Sequence, residues 1–137
     1  MNDCIFCKII NREVPANIVY EDDNVLSFLD IKGLNPGHTL IIPKKHLTNI
    51  YELDTPTAEH VFGVVPKIAR AIKQAVSAEG VNIGMNNEAA AGQVEFHAHV
   101  HVIPRYANDG YKLWEGKSVP ADESLTIAEQ IKKALLN

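Results

Sequence analysis

Phe96-His97-Ala98-His99-Val100-His101-Val102-Ile103-Pro104 is the stretch on which the fold turns. Ala98, Val100 and Val102 take every second place, and His97, His99 and His101 the places between. A period of two belongs to a strand, whose side chains alternate between faces. The stretch predicts a strand over residues 96–103, ended by Pro104, with an apolar face toward a core and three imidazoles on the other. Successive imidazoles then stand roughly 6–7 Å apart, twice the strand's rise per residue. One histidine on a strand is usually a hydrogen-bonded structural group. Three in alternation point to chemistry, either three ligands of a metal or catalytic histidines. The strand alone leaves both open.

The chain on either side supplies partners for that strand. Residues 18–20 and 25–29 are β-favouring runs joined by Glu21-Asp22-Asp23-Asn24, a hairpin with an acidic turn. Asn35-Pro36-Gly37 is a turn signal, and 39–42 is a short apolar strand stopped by Pro43. Thr55 as N-cap and Pro56 at the first helical position open a long helix. Along it Ala58, Val61, Phe62, Val65, Ile68, Ala69, Ile72 and Val76 recur at helical spacing, and Pro66 predicts a kink or a split. Residues 81–86 read as a further strand and 88–92 as a small-residue loop. Ile127, Ala128, Ile131, Ala134 and Leu135 mark a terminal amphipathic helix, with Lys132 and Lys133 near its negative end. Residues 106–123 show no period and are expected as loop. The sum is an α+β fold: about five antiparallel strands, a long helix and a C-terminal helix.

The 137 residues fit one domain, 1–137, able to bury a core without staples. The net charge of −4 argues against a general nucleic-acid binder. One bound nucleotide needs only local cations, such as Lys44-Lys45 or Arg105. No apolar run approaches the ~20 residues that span a bilayer. The start lacks the basic-then-apolar pattern of a secretory leader, so a cytoplasmic protein is expected. The only two cysteines, Cys4 and Cys7, are spaced C-x-x-C. They fit a redox pair, an inert pair or half of a zinc site.

Several stretches together carry a resemblance. They are His97-x-His99-x-His101 with two apolar residues after it, Cys4-Ile5-Phe6-Cys7-Lys8-Ile9-Ile10, Phe28-Leu29-Asp30-Ile31, the run from Pro36 to His46, and Gly92-Gln93. In these the chain resembles the histidine-triad (HIT) superfamily of nucleotide hydrolases and transferases, over nearly all its length up to Arg105. It looks most like the small bacterial branch similar to nucleoside phosphoramidases and dinucleoside polyphosphate hydrolases. The resemblance implies that His99 attacks the α-phosphate, giving a nucleotidyl-histidine that water hydrolyses. His101 would face the phosphate or leaving group and supply a proton, with His38 packed beside the triad. Asn86, Gln93 and the backbone amides of Gly92, Gln93 and Val94 would hold the phosphate. Asp30 would take the ribose hydroxyls, and Ile5, Phe6, Ile9, Phe28 and Ile31 the base. Val94 stands where many relatives carry a hydroxyl, and Glu95 is a charge with no assigned role.

The same resemblance completes a structural zinc site from Cys4, Cys7, His46 and His97, leaving His99 and His101 for chemistry. It implies a purine nucleotide partner, adenosine-containing, with neither nucleic acid nor membrane. It also implies a homodimer across the long helix and one sheet edge. Two other functions fit the residues: a zinc-dependent hydrolase with His97, His99 and His101 as ligands, and a nucleotide-sensing adaptor with weak catalysis. The intact triad speaks against the adaptor.

Overall fold

The computed structural model describes residues 3–137. The elements run α1 (Ile5–Ile10), β1 (Ile18–Glu21), β2 (Val25–Leu29), β3 (Thr39–Pro43), α2 (Thr55–Ala75), β4 (Gly80–Gly84), β5 (Val100–Arg105) and α3 (Ala121–Leu135). The strands form one antiparallel sheet in the order β1-β2-β3-β5-β4. Apolar side chains fill both faces of its centre, which is why β2 and β3 read as nearly continuous apolar runs, broken only by Ser27 within β2 and Thr39 at the start of β3. Val25, Ile41, Val100 and Val102 point one way, onto Val61, Val64, Val65, Ile68 and Ile72 of α2. Leu26, Phe28, Leu40 and Ile42 point the other way, onto Phe6 and Ile9 of α1. Each such aliphatic side chain contributes about 2 kcal/mol on burial. The β1–β2 turn is tied by Asp22, whose Oδ1 accepts from the N–H groups of Asn24 and Val25, both at 2.8 Å.

Several expectations shift. Asp54, not Thr55, caps α2, its Oδ1 accepting from Thr57 N–H at 2.9 Å. Pro66 neither ends nor splits the helix, which is continuous for 21 residues. Pro66 lies on the exposed side, where the Phe62 carbonyl left without its donor can be solvated. The stripe opposite holds the helix to the sheet. In that stripe Val64 is buried, whereas Phe62 is 40% exposed.

The strand β4 starts and ends earlier than 81–86, and β5 starts at Val100 rather than at residue 96. Residues 96–99 approach the end of β5 outside the ladder, with Ala98 N–H donating to Leu47 O at 2.7 Å. Pro104 does not stop β5, because β3 leaves it after Val102. On the side that β3 vacates, Asn35 Nδ2 donates to Pro104 O at 2.9 Å, so no donor is needed from Pro104 there. The six-residue α1 had no counterpart in the sequence reading. The final helix begins at Ala121, inside the stretch expected as loop. No residue of α3 is buried. Among the described residues, no helix is long and apolar enough to cross a membrane.

Candidate active site

The ends of β2, β3 and β5 meet at one corner of the sheet. Leu29 pairs with Thr39, and beyond that pair Asp30 N–H donates to His38 O at 2.8 Å, so Asp30 and His38 are cross-strand neighbours. Leu40 pairs with His101, which brings the triad beside them. Gly33 is required here: a Cβ on it would lie 2.4 Å from His38 Cβ. The triad rings keep to one side although only His101 lies in β5. Phe6 stands edge-on to both His97 and His99, with centroids 5.8 and 5.2 Å away, and the His99 and His101 rings are 4.9 Å apart.

Hydrogen bonds fix which nitrogen of each ring carries the proton. A backbone carbonyl can only accept, so a ring nitrogen facing one must be protonated. His99 Nδ1 lies 2.7 Å from His97 O, which leaves the lone pair of His99 on Nε2. His97 Nε2 lies 2.8 Å from Pro43 O, which leaves its lone pair on Nδ1. For His101 the logic runs through His38. Leu34 N–H donates to His38 Nδ1 at 2.9 Å, so the His38 proton sits on Nε2. That nitrogen is 2.9 Å from His101 Nδ1 and donates to it, so His101 carries its own proton on Nε2. Three adjacent histidines thus present three different faces: a lone pair at His97 Nδ1, a lone pair at His99 Nε2 and an N–H at His101 Nε2.

Burial, reinforced by His99 and His38 beside it, pushes His101 down to about 4. Burial also lowers His38, partly offset by the Asp30 carboxylate 3.8 Å away. The His101 ring is neutral at pH 7. The folded state therefore binds fewer protons at His101 than the unfolded chain between about 6.5, the ordinary imidazole value, and about 4. Stability from this ring is full above that window and is lost as pH falls through it, and His38, lowered by burial, acts in the same direction. Thermal melts from pH 7.5 to 4.5 should show a falling midpoint, and the slope below pH 6.5 should shrink in His101→Gln.

A cavity of about 590 Å³ opens beside the triad. His99 and His101 form one wall, and Phe6 and Phe28 are buried in its floor. Ile5, Ile9, Asp30, Ile31, Asn86, Gly92 and Val94 also line it, so most residues assigned to the nucleotide are brought together. His38 is not among them; it sits behind His101. The Gln93 side chain is also elsewhere, buried and spent on Glu88 N, Thr48 O and Glu95 O at 2.7, 2.7 and 3.1 Å. It braces the loop that carries Gly92, whose φ of 93° suits glycine. The sequence reading missed Val14, Pro15 and Ala16, which follow α1 and line the cavity, together with Leu29, Lys32 and Leu40. Only the apolar run after α1 could have signalled them. Glu95 also lines it.

Behind His99 lies a second cluster. The donor atoms of Cys4, Cys7, His46 and His97 all fall within 4.8 Å of one another. Cys4 Sγ is 3.4 Å from His97 Nδ1, and Cys7 Sγ is 3.3 Å from His46 Nδ1 and 3.7 Å from His97 Nδ1. The edge between sulfur and nitrogen around a tetrahedral zinc is ~3.6 Å, from bonds of about 2.3 and 2.0–2.1 Å. The four residues fit such a cation. His97 meets it with the unprotonated nitrogen while its other nitrogen is held by Pro43 O, the usual support of a ligating imidazole. Cys4 also caps α1, its Sγ accepting from Cys7 N–H. Burial and the neighbouring Cys4 push the Cys7 thiol up to about 11, the opposite of a redox-active cysteine. His97 turned into this cluster cannot join His99 and His101 on a common ion, so the donor directions disfavour a three-histidine metal site.

The HIT domain model matches residues 11–108, which carry the sheet, α2 and the whole triad. The chain belongs to the HIT family. Among its HIT relatives, Protein hit of Bacillus subtilis is 51% identical over 115 residues, 82% of this chain and 79% of that protein. Adenylylsulfatase HINT3 of Arabidopsis thaliana is 45% identical over 118 residues, covering 86% of this chain and 59% of that protein. Among solved HIT-fold structures, SMU.412c from Streptococcus mutans superposes with a TM-score of 0.93 at 47% identity, over 98% of this chain and 87% of that one. The histidine triad nucleotide-binding protein from Candida albicans does so with a TM-score of 0.87 at 31% identity, over 98% of each.

Proposed function

We propose that this HIT protein is a nucleotidyl hydrolase or transferase acting at the α-phosphate of nucleoside phosphoramidates or dinucleoside polyphosphates. The observation that carries the reading is the unprotonated Nε2 of His99, in the wall of a nucleoside-sized cavity, beside the N–H of His101. With the base between Phe6, Phe28, Ile5 and Ile9, and the ribose hydroxyls at Asp30, the α-phosphate reaches the two histidines. His99 Nε2 forms a bond to phosphorus as the bond to the leaving group breaks. The leaving group departs with that electron pair and takes a proton. Water then attacks phosphorus, the pair of the P–N bond returns to Nε2, and the mononucleotide is released. His97 O, accepting from Nδ1–H, stabilises the positive charge that His99 gains on phosphorylation. Neutral His101 donates a hydrogen bond from Nε2 to a phosphoryl oxygen or the departing atom. A bound phosphate raises its pKa and so favours the protonated ring, whose proton the departing atom takes, and the water that attacks next returns a proton to the ring.

A panel of adenosine phosphoramidate, diadenosine tetraphosphate and adenylyl-lysine tests the reading. Release of AMP from at least one at enzymatic rates is expected, and release from none would overturn it.

Two further elements belong to this proposal. Cys4, Cys7, His46 and His97 hold one structural zinc, which ties α1, and with it Phe6, to the triad segment. A second copy of the chain forms a homodimer through α2 and the open edge of β4. Supporting it are the edge position of β4, exposed Phe62 and Ile83, and an α3 whose Leu125, Ile131 and Leu135 find no cover in their own chain. Light scattering should give about 30 kDa, twice the 15.1 kDa chain, at micromolar concentration; about 15 kDa would contradict the dimer.

A further inference from the structure

The loop between β4 and β5 brings Asn86, Gly92 and Val94 into the wall of the nucleoside cavity. One turn of 3-10 helix, Ala89–Ala91, sits within it. Ala91 N–H and Gln93 N–H both donate to Glu88 O at 3.1 Å, and Gly92 N–H donates to Ala89 O at 3.0 Å. Of the three amides that the resemblance gives to the phosphate, those of Gly92 and Gln93 are therefore spent inside the turn. Val94 N–H donates to no backbone acceptor among the described residues. Asn86 Nδ2 lies beside it, 3.5 Å from where a Cβ on Gly92 would stand. These two donors, with the N–H of His101, are left to meet an α-phosphate.

The turn that arranges them strains Glu88. Its φ of 72° and ψ of 158° fall in a region essentially confined to glycine. Arg12 and Ser77, the other non-glycine residues with positive φ among those described, each follow a helix C-cap, where a left-handed residue is customary. Glu88 opens a turn instead, and its side chain caps nothing. What holds it is Gln93. The buried Gln93 Oε1 accepts from Glu88 N–H, while Nε2 ties Glu95 O at the far end of the loop and Thr48 O on the connection beside it. Asn87 Oδ1 adds a second tie to that connection, accepting from Ile50 N–H at 2.8 Å. Three buried hydrogen bonds outweigh the strain of one residue. A Glu88 released from Gln93 relaxes to negative φ, and that rotation turns the backbone between Asn86 and the 3-10 turn.

We propose that Gln93 is a positioning residue for the transferred phosphate: its side chain holds Glu88 in the strained conformation that keeps Val94 N–H and Asn86 Nδ2 aimed at the α-phosphate. The inference rests on the nucleotidyl-transfer reading and gives Gln93 a part in it without contact with the nucleotide.

Three variants test it: Gln93→Met, which keeps the buried volume and removes the hydrogen bonds, Glu88→Gly, and the two combined. With adenosine phosphoramidate, Gln93→Met should lower kcat by roughly tenfold or more, the scale of donors re-aimed by about 1 Å. KM should move less than about threefold, because α1 and β2 carry the base and ribose. Glu88→Gly in the Gln93→Met protein should restore most of the lost kcat, since glycine takes the loop conformation without being held. In the native background Glu88→Gly should raise the melting midpoint by roughly 3 °C through relief of strain. A kcat for Gln93→Met within twofold of wild type would overturn the assignment, and so would a loss that Glu88→Gly leaves in place, as a purely packing role requires. Should Gln93→Met fail to fold, a midpoint unmoved or lowered by Glu88→Gly alone would overturn it. Each of these outcomes leaves the nucleotidyl-transfer reading standing; wild-type protein that turns over neither the phosphoramidate nor diadenosine tetraphosphate would overturn both.

Discussion

His99→Ala should abolish turnover, lowering kcat by roughly 10⁴-fold or more, because it removes the atom that the proposed mechanism uses to form the covalent intermediate. AMP affinity should change little. The base and ribose contacts proposed above reside in Phe6, Phe28, Ile5 and Asp30, which line the cavity, and the N–H of His101 is positioned by His38, not by His99. The space left by the ring is walled by Phe6 and His101. Added imidazole should therefore partly restore His99→Gly. His101→Ala should slow turnover less, and most for poor leaving groups, because donation to the departing atom matters most there. Steady-state rates with calorimetric AMP binding check all three; near-normal kcat in His99→Ala would refute the assigned nucleophile.

Cys4→Ser should lower the melting midpoint by about 10 °C and remove close to one zinc per chain. The zinc reading makes metal binding part of folding free energy. A loss of about 3 kcal/mol moves a domain of this size by about that much. The effect spreads through α1: Cys4 caps it, and Phe6 and Ile9 on it close one face of the sheet. Since Phe6 also floors the nucleoside cavity, KM should rise while kcat of the folded fraction stays within a few-fold. Elemental analysis with calorimetry or a dye melt checks this. Freshly prepared protein without zinc, or a midpoint unmoved by the substitution, would contradict it.

Much of this site was readable because its chemistry is written in short, local patterns. Alternation put His97, His99 and His101 on one side, and that survived even though the ladder begins only at Val100. The apolar runs of β2 and β3 were legible because both faces of the central sheet are covered. What escaped was decided by tertiary hydrogen bonds. Pro104 stays in β5 only because β3 departs and Asn35 takes its carbonyl. Pro66 stays in α2 because it faces outward. The extra cavity residues after α1 carry no period at all. Which nitrogen each histidine offers depends on Leu34, Pro43 and a carbonyl of the triad itself, none of which spacing reveals. The stretch after β5 read as featureless because its order comes from Arg105, whose Nε and Nη2 grip the Asp109 carboxylate at 2.7 and 3.0 Å, not from a repeating apolar face.

The covalent intermediate is the centre of the account, and one measurement meets it directly. Wild-type enzyme mixed in excess with α-³²P-labelled substrate, quenched within a single turnover in denaturant at alkaline pH, should carry label on the protein. The label should be lost on brief acid treatment, as a phosphorus–nitrogen bond requires, and peptide mapping should place it on His99. Label that never appears on protein while product forms at the normal rate would mean that water attacks the phosphate directly, and the role given to His99 would be wrong.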